Sequence, residues 1–219
     1  MSSTATTPAQ DLNAVMASCY TAHPEIEGGR LRAHKIEVHV TLRTIIPKHA
    51  PHLPPTRPPL QGDATRLASH PDLADECGTF DAVLLLGPLY HIMAADLRAS
   101  ALRDAWSFVR PDGGVLFCAW VSRYARYRDL ALKEPARLAR KPEFYARHAQ
   151  DGVYVKLAPG VEDVEMVGTE GLLAGGLDKL VNELEGEEFE AWVQKCLDVG
   201  ADEHGWRMAD HIVGVAMKV

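Results

Sequence analysis

Tyr90 and His91 lie in the turn GPLYHI, which directly follows the apolar run FDAVLLL. A continuous apolar run bounded by turn residues is typical of a strand buried on both faces of a parallel sheet. In open parallel sheets, ligands bind beyond the carboxyl ends of the strands. The run therefore brings Leu86 and Gly87 to the rim, where Tyr90 and His91 can face a ligand. An alternative fits the spacing equally well: the pair begins the next helix and packs locally.

The segments that follow this turn predict how the strand is held. One helical face of AADLRASALRDAWSFVR gathers apolar residues, namely Leu97, Ala101, Leu102, Ala105, Phe108 and Val109. A PDGG turn and the short apolar run VLFCAWV then predict a second strand. A strand, a helix and a strand in this order form a βαβ unit, so we expect an α/β fold with a parallel sheet.

The remaining segments give weaker or mixed patterns. LRAHKIEVHVTL fits a strand and a helix equally, whereas residues 47–60 hold six prolines in fourteen positions and predict a loop or extended connector. Residues 124–150 predict two short helices, because Pro135 and Pro142 interrupt them. VEDVEMVGTEGLL and HIVGVAMKV predict strands, the second of them ending the sheet. Between them lies a predicted helix whose apolar face holds Phe189, Trp192, Val193 and Cys196.

Composition limits the classes of function. The chain has 219 residues, 47% of them hydrophobic, and a net charge of -7, which argues against a nucleic-acid partner. The basic residues between Arg123 and Lys141 lie at helical spacing and predict a solvated face. The four cysteines show no metal-site spacing, so we expect reduced thiols and no metal. No apolar stretch is long enough for a membrane span, and the amino terminus lacks a secretory layout, which predicts a cytoplasmic protein. We expect a disordered tail at 1–10 and a single domain at 11–219.

The motifs QGDA, FDAVLLLGPLYHI and RPDGGVL resemble the second half of class I S-adenosylmethionine-dependent methyltransferases. The similarity is greatest to a branch with the string LLLGPLYHL after its fourth strand. The segments VGTEGLLAGGLDKLVNEL and ADHIVGVAMKV are similar to that branch as well. The resemblance implies a Rossmann-like, mainly parallel sheet with helices on both faces. It also implies S-adenosylmethionine as the cofactor.

The resemblance implies roles for the residues already singled out. Asp63 would accept a hydrogen bond from the adenine amino group, with Ala64 beside it, because an ionised carboxylate is an acceptor only. The backbone of Leu86 and Gly87 would approach the methionine moiety. Tyr90 and His91 would contact the acceptor, and His91 is the candidate catalytic base. Two alternatives remain open: Asp63 belongs to a simple Gly-Asp turn, or His91 only packs and forms hydrogen bonds.

The family's glycine-rich motif has no counterpart in this sequence. It should stand before QGDA, where only residues 47–60 are found, and a βαβ unit alone needs about 30 residues. A second gap lies near KLAPG, where the family has a helix. Either the gene model or the protein itself is truncated. The loss would expose the edge of a central strand, so we expect a homodimer that covers it, poor stability, or a cap formed by the proline-rich connector.

Two functions therefore follow from the sequence. The first is methyl transfer from S-adenosylmethionine to a small-molecule acceptor, with weak or lost cofactor binding. The second is a trimmed scaffold without methyl transfer, which binds or cyclises a small molecule or serves as a partner subunit. The missing glycine-rich motif counts against the first hypothesis. The retained Asp63 and the Leu86-Gly87 pair count against the second.

Overall fold

A computed structural model of the protein describes residues 29, 32–49, 62–92, 94–151 and 164–219, with the backbone alone at 47–49 and 147–151. The predicted tail at 1–10 and most of the proline-rich connector lie outside these ranges. The described helices are α1 (Lys35–His49), α2 (Ala95–Phe108), α3 (Ala125–Lys133), α4 (Ala136–Arg140), α5 (Pro142–Asp151) and α6 (Gly186–Gly200). The strands are β1 (Ala82–Leu85), β2 (Val115–Val121), β3 (Glu165–Gly168) and β4 (His211–Met217).

The four described strands form one mixed sheet in the order β1-β2-β4-β3. β1 and β2 pair in parallel, with Val83 opposite Leu116, and α2 connects them, so the predicted βαβ unit is confirmed. β4 runs antiparallel to both β2 and β3. The fold is therefore α/β, but its described sheet is mixed.

β4 is antiparallel to β3 because the chain, after α6, re-enters the sheet at the end where β3 stops. The Thr169 amide, just after β3, donates a hydrogen bond of 3.0 Å to the carbonyl of His211, the first residue of β4. At the end of α6 the chain passes so close to β3 that a Cβ on Gly200 would lie 2.3 Å from the Gly168 carbonyl oxygen. The local pattern of HIVGVAMKV predicted the strand correctly, but strand direction depends on this return path.

Helices cover both faces of the sheet. On one face, α2 packs Ala101, Leu102 and Ala105 against Leu85 and the β2 residues of the same cluster. On the other face, Ile45 of α1 packs against Val115, Phe117, Val213 and Val215. A third cluster joins α1 to α6 and β3, and its buried members include Ile36, Val40, Val193 and Cys196.

β1 is less buried than its apolar sequence predicts. Leu85 is 4% exposed under α2, but Leu84, which points to the opposite face, is 44% exposed. The prediction of a strand buried on both faces is therefore wrong for β1. The reason is its position: β1 is the outermost strand of the described sheet, and α1 covers the second face at β2 and β4.

The fold bears on four other expectations. The undecided segment LRAHKIEVHVTL belongs mostly to α1, which continues to His49 and so takes in the first residues of the predicted connector. Residues 124–150 form three short helices rather than two, with Pro135 and Pro142 at the breaks. On α6, Trp192 is 38% exposed although Phe189, Val193 and Cys196 are buried as predicted. Among the described residues, no helix is both long and apolar enough to span a bilayer.

Candidate functional site

The turn after β1 lies at the carboxyl edge of the parallel pair. Gly87 has φ 145° and ψ −49°, a conformation that residues with a Cβ rarely adopt. Pro88–Tyr90 then form one 3₁₀ turn, in which the amides of His91 and Ile92 both donate to the Pro88 carbonyl, at 3.0 and 3.1 Å. A glycine suits this position because the chain has a positive φ between the strand and the turn.

Two buried anchors hold this turn in place. Leu89 is 2% exposed and Ile92 is 7% exposed, and both belong to the cluster beneath α2. Arg98, a buried residue of α2, donates from Nη1 to the Ile92 carbonyl at 2.6 Å. A charged donor strengthens such a bond, so the guanidinium fixes the end of the turn to the helix that follows it. The sequence did not single out Arg98, because arginine in an amphipathic helix normally faces water.

Tyr90 and His91 lie side by side on the turn. Their ring centroids are 4.6 Å apart at an angle of 58°, and Tyr90 is 37% exposed while His91 is half-buried. The Tyr90 hydroxyl reaches back over Gly87, to 3.6 Å from the position that a Cβ would take there. They precede α2, which begins at Ala95, and their ring contact is local packing, so the two alternatives for this pair both stay open. Leu86, Gly87, Tyr90 and His91 thus lie, each at least partly exposed, on the segment that follows β1.

Asp63 is held by its own turn. Its Oδ1 accepts hydrogen bonds from the Thr65 amide at 2.9 Å and from the Thr65 hydroxyl at 2.8 Å, which caps the 3₁₀ helix Ala64–Ser69. That helix packs on the second half of α2, where the Ala68 amide donates to Asp104 Oδ2 at 3.0 Å.

A polar cluster that sequence reasoning missed lies at the same edge of the sheet. Glu170 follows β3, His211 begins β4, and Glu37 lies in the first turn of α1. Glu170 Oε1 contacts His211 Nδ1, while Glu170 Oε2 accepts from the His211 backbone amide at 2.9 Å. Glu37 Oε2 lies 3.6 Å from the same Nδ1. The exposure of the Glu37 and Glu170 side chains is only 11% and 6%.

Electrostatics favour a charged Glu170. Burial alone would raise the pKa of its carboxyl group, but the hydrogen bonds and the charge of His211 outweigh burial and lower that pKa. The sequence shows both residues directly at strand ends, in VGTEG and ADHIV. Their meeting depends on the pairing of β3 with β4, which no spacing rule predicts.

Neighbouring pairs extend this polar layer. His34 Nδ1 lies 3.0 Å from Oδ2 of the buried Asp178, and the same oxygen accepts from Asn182 Nδ2 at 2.8 Å. Beside β4, Asp210 accepts from Arg128 Nε on α3 and from the Gly175 amide, each at 2.6 Å. These pairs therefore link the residue before α1, and a residue of α3, to the end of the sheet at which β3 ends and β4 begins.

The other predicted groups have ordinary surroundings. Arg126 and Lys133 of the basic stretch both pair with Asp129, as a solvated helix face would. His204 is exposed on the turn after α6, and the His148 side chain lies outside the described part. Comparison of the sequence with protein-family models and with curated proteins found no match.

Proposed function

We propose that this chain is a cytoplasmic class I methyltransferase-like protein that binds S-adenosylmethionine at the carboxyl edge of β1 and methylates a small-molecule acceptor. The observation that supports this most is the glycine turn. Gly87 follows a parallel strand of a βαβ unit at its carboxyl end, and its backbone, which carries no Cβ, has φ 145° and ψ −49°. Ligands of open α/β sheets bind at such edges.

The residues around the turn fit part of the cofactor. Leu86 and Gly87 would receive the methionine moiety, because a residue without a Cβ allows close approach to the backbone. Asp63 uses Oδ1 for its cap, and the second carboxylate oxygen keeps its capacity to accept from an adenine amino group. Ala64 would lie next to the adenine. We therefore assign cofactor binding to Asp63, Ala64, Leu86 and Gly87.

Tyr90 and His91 would contact the acceptor. Bound S-adenosylmethionine supplies an electrophilic methyl group, and transfer needs mainly alignment and, for some acceptors, removal of a proton. His91 is the base in this proposal, because an imidazole titrates close to neutral pH. The packing of the Tyr90 ring on the His91 ring would fix the orientation of the imidazole.

The same proposal includes a more specific description of the fold. We propose a Rossmann-like sheet that is truncated beyond β1, so that one flank of the cofactor cleft is missing. β1 is the outer strand of the described sheet, and the stretch between α1 and Gly62 is shorter than a βαβ unit. This observation also favours the second candidate, a methyltransferase-like scaffold that binds a small molecule at the Tyr90-His91 surface without methyl transfer.

Isothermal titration with S-adenosylmethionine and S-adenosylhomocysteine tests the cofactor proposal. We expect heat of binding at micromolar to millimolar ligand and at least a tenfold weaker affinity in Gly87→Ala. Gly113→Ala is the matched control, because Gly113 also has a positive φ, of 98°, but lies in the turn before β2, at the opposite end of the sheet. The control should lose similar stability and keep the affinity of the unmodified chain.

Substitution of Asp63 separates its capping of the 3₁₀ helix from its proposed contact with the adenine amino group. Asp63→Asn keeps a side-chain oxygen that can cap the turn but removes the negative charge, so we expect weaker cofactor binding with little loss of stability. Asp72→Asn, on an exposed neighbouring turn, should change neither property. No heat with either ligand at millimolar concentration would exclude the methyltransferase function and leave the scaffold as the better description.

A further inference from the structure

The cluster of Glu37, Glu170 and His211 brings together three side chains from separate parts of the chain. Each offers an atom that can bind a metal ion, and these three atoms lie within 4.8 Å of one another. Glu37 comes from α1, Glu170 from the residues after β3, and His211 from the start of β4. The pairing of β3 with β4, in which Gly168 lies opposite Ile212, fixes the relative positions of Glu170 and His211.

The distance between Glu37 and His211 suits two ligands of one ion. Glu37 Oε2 lies 3.6 Å from His211 Nδ1, which is longer than a normal hydrogen bond. Two atoms that bind one tetrahedral Zn²⁺ at about 2.1 Å lie about 3.4 Å apart. Glu170 Oε1 contacts the same nitrogen. The ligand atoms of all three residues therefore lie close together, within 4.8 Å of one another.

We propose that Glu37, Glu170 and His211 bind one divalent transition-metal ion of the Zn²⁺ or Mn²⁺ type. One imidazole and two carboxylates are the donors that such ions take, whereas Mg²⁺ and Ca²⁺ take oxygen donors alone. Binding forms a bond from the metal to His211 Nδ1. Any proton on that nitrogen is released to solvent, and the hydrogen bond to Glu170 Oε1 is replaced by coordination.

The surroundings provide both support and access. Glu170 Oε2 stays bound to the His211 amide, and the Glu170 carbonyl accepts from the Cys196 thiol at 3.3 Å, so the ligand-bearing backbone is held. The His211 side chain is 30% exposed, which gives an ion a route from solvent and leaves a coordination position for water. Coordination would fasten α1 to the β3–β4 edge, and it does not depend on methyl transfer.

Titration of the untagged, chelator-treated chain with ZnCl₂ and, separately, MnCl₂ tests this site. We expect one Zn²⁺ per chain with micromolar or tighter affinity, and an increase in melting temperature as the metal concentration rises. Glu37→Gln should weaken binding at least tenfold. Glu190→Gln is the matched control, since Glu190 pairs with Arg43 of α1 at 2.6 Å and so tests loss of helix contact without loss of a ligand.

X-ray absorption of the zinc-loaded chain gives an independent measurement. We expect one imidazole nitrogen and carboxylate oxygens at about 2.0–2.2 Å. His204→Gln, at an exposed histidine, should leave the spectrum unchanged, whereas His211→Gln should remove its imidazole signal. Absence of binding below millimolar zinc, or equal affinity in Glu37→Gln and the unmodified chain, would overturn the proposal. If His211→Gln does not fold, the absorption spectrum of the unmodified chain and the zinc affinity of Glu37→Gln still test the proposal.

Discussion

The indole of Trp120 covers Gly214 across the β2–β4 pair. A Cβ on Gly214 would lie 2.4 Å from Trp120 Cζ3 and 2.8 Å from Cη2. Gly214 pairs with Cys118, and Trp120 lies diagonally opposite on the same face, where it packs on the cluster beneath α2. The glycine therefore leaves the space that the Trp120 ring occupies.

Gly214→Ala should destabilise the protein by about 1–3 kcal/mol, because the added methyl group forces Trp120 away from its packing position. The free energy of unfolding from urea titration measures this loss. Trp120→Leu is expected to be destabilising by itself, but to reduce the further cost of Gly214→Ala in the double variant. Additive losses in the double-mutant cycle would contradict a direct contact between the two residues.

The described cysteines should differ sharply in reactivity. Cys77 is exposed, whereas burial raises the pKa of Cys118 to about 12. Burial, with the nearby charges of Glu170 and Asp178, raises the pKa of Cys196 to about 11. Only the thiolate attacks a disulfide reagent, so at pH 8 we expect Cys77 to react at least about 100-fold faster than the other two.

Peptide mapping after timed labelling with a disulfide reagent identifies each site, including Cys19, which lies outside the described residues. Cys118 and Cys196 should become reactive only in denaturant. Labelling of Cys118 at the rate of Cys77 under native conditions would show that β2 is not buried as described.

The apolar runs predicted the strands well, because each is short and bounded by turn residues. Periodicity failed for α1, since Ile36 and Val40 fit an alternating strand as well as a helix. The choice depends on tertiary packing: both residues lie against α6, where Phe189 and Val193 are buried. Exposure of Leu84 could not be predicted either, because it depends on which elements cover the second face of β1.

The candidate site was predictable only where its residues are contiguous. Leu86, Gly87, Tyr90 and His91 follow one strand, so a local pattern finds them. Glu170 and His211 are 41 residues apart and meet only because β4 returns to the edge where β3 ends. Glu37 reaches them from another helix. Such a cluster depends on sheet order, which the sequence pattern did not specify.

The outer edge of β1 should pair with a second copy of the chain. β1 is the outermost described strand, Leu84 in it is 44% exposed, and the flanking Phe80 and Leu86 are 37% and 39% exposed. Unpaired apolar edge strands associate readily, and a charged side chain on the edge opposes this. Light scattering should therefore give twice the monomer mass for the unmodified chain and a monomer for Leu84→Lys.

Leu180→Lys is the control for this prediction. Leu180 is 76% exposed, more than Leu84, but lies in the turn before α6 rather than on the sheet edge. Its lysine variant should remain dimeric. The measurement is made at about 100 µM protein, a concentration at which even a weak dimer forms. A monomer mass for the unmodified chain at that concentration would reject edge pairing.

Asp202 should contribute to stability in a pH-dependent way. Its Oδ1 accepts from the amides of His204 and Gly205, at 2.9 and 3.1 Å, and these hydrogen bonds lower the pKa of the carboxyl group. Because the folded pKa is lower than the unfolded value, the contribution is present above the ordinary aspartate pKa of about 3.9. It is lost as the pH falls through the lowered pKa, where both states become protonated.

Asp202→Asn keeps an oxygen that can accept from both amides and removes only the charge. The urea midpoint of the unmodified chain should therefore exceed that of Asp202→Asn between pH 5 and pH 7, and the two should converge below about pH 4. Asp75→Asn, at an exposed position, controls for the change in net charge. A difference between Asp202→Asn and the unmodified chain that stays constant down to pH 2.5 would contradict a contribution from the charge of Asp202.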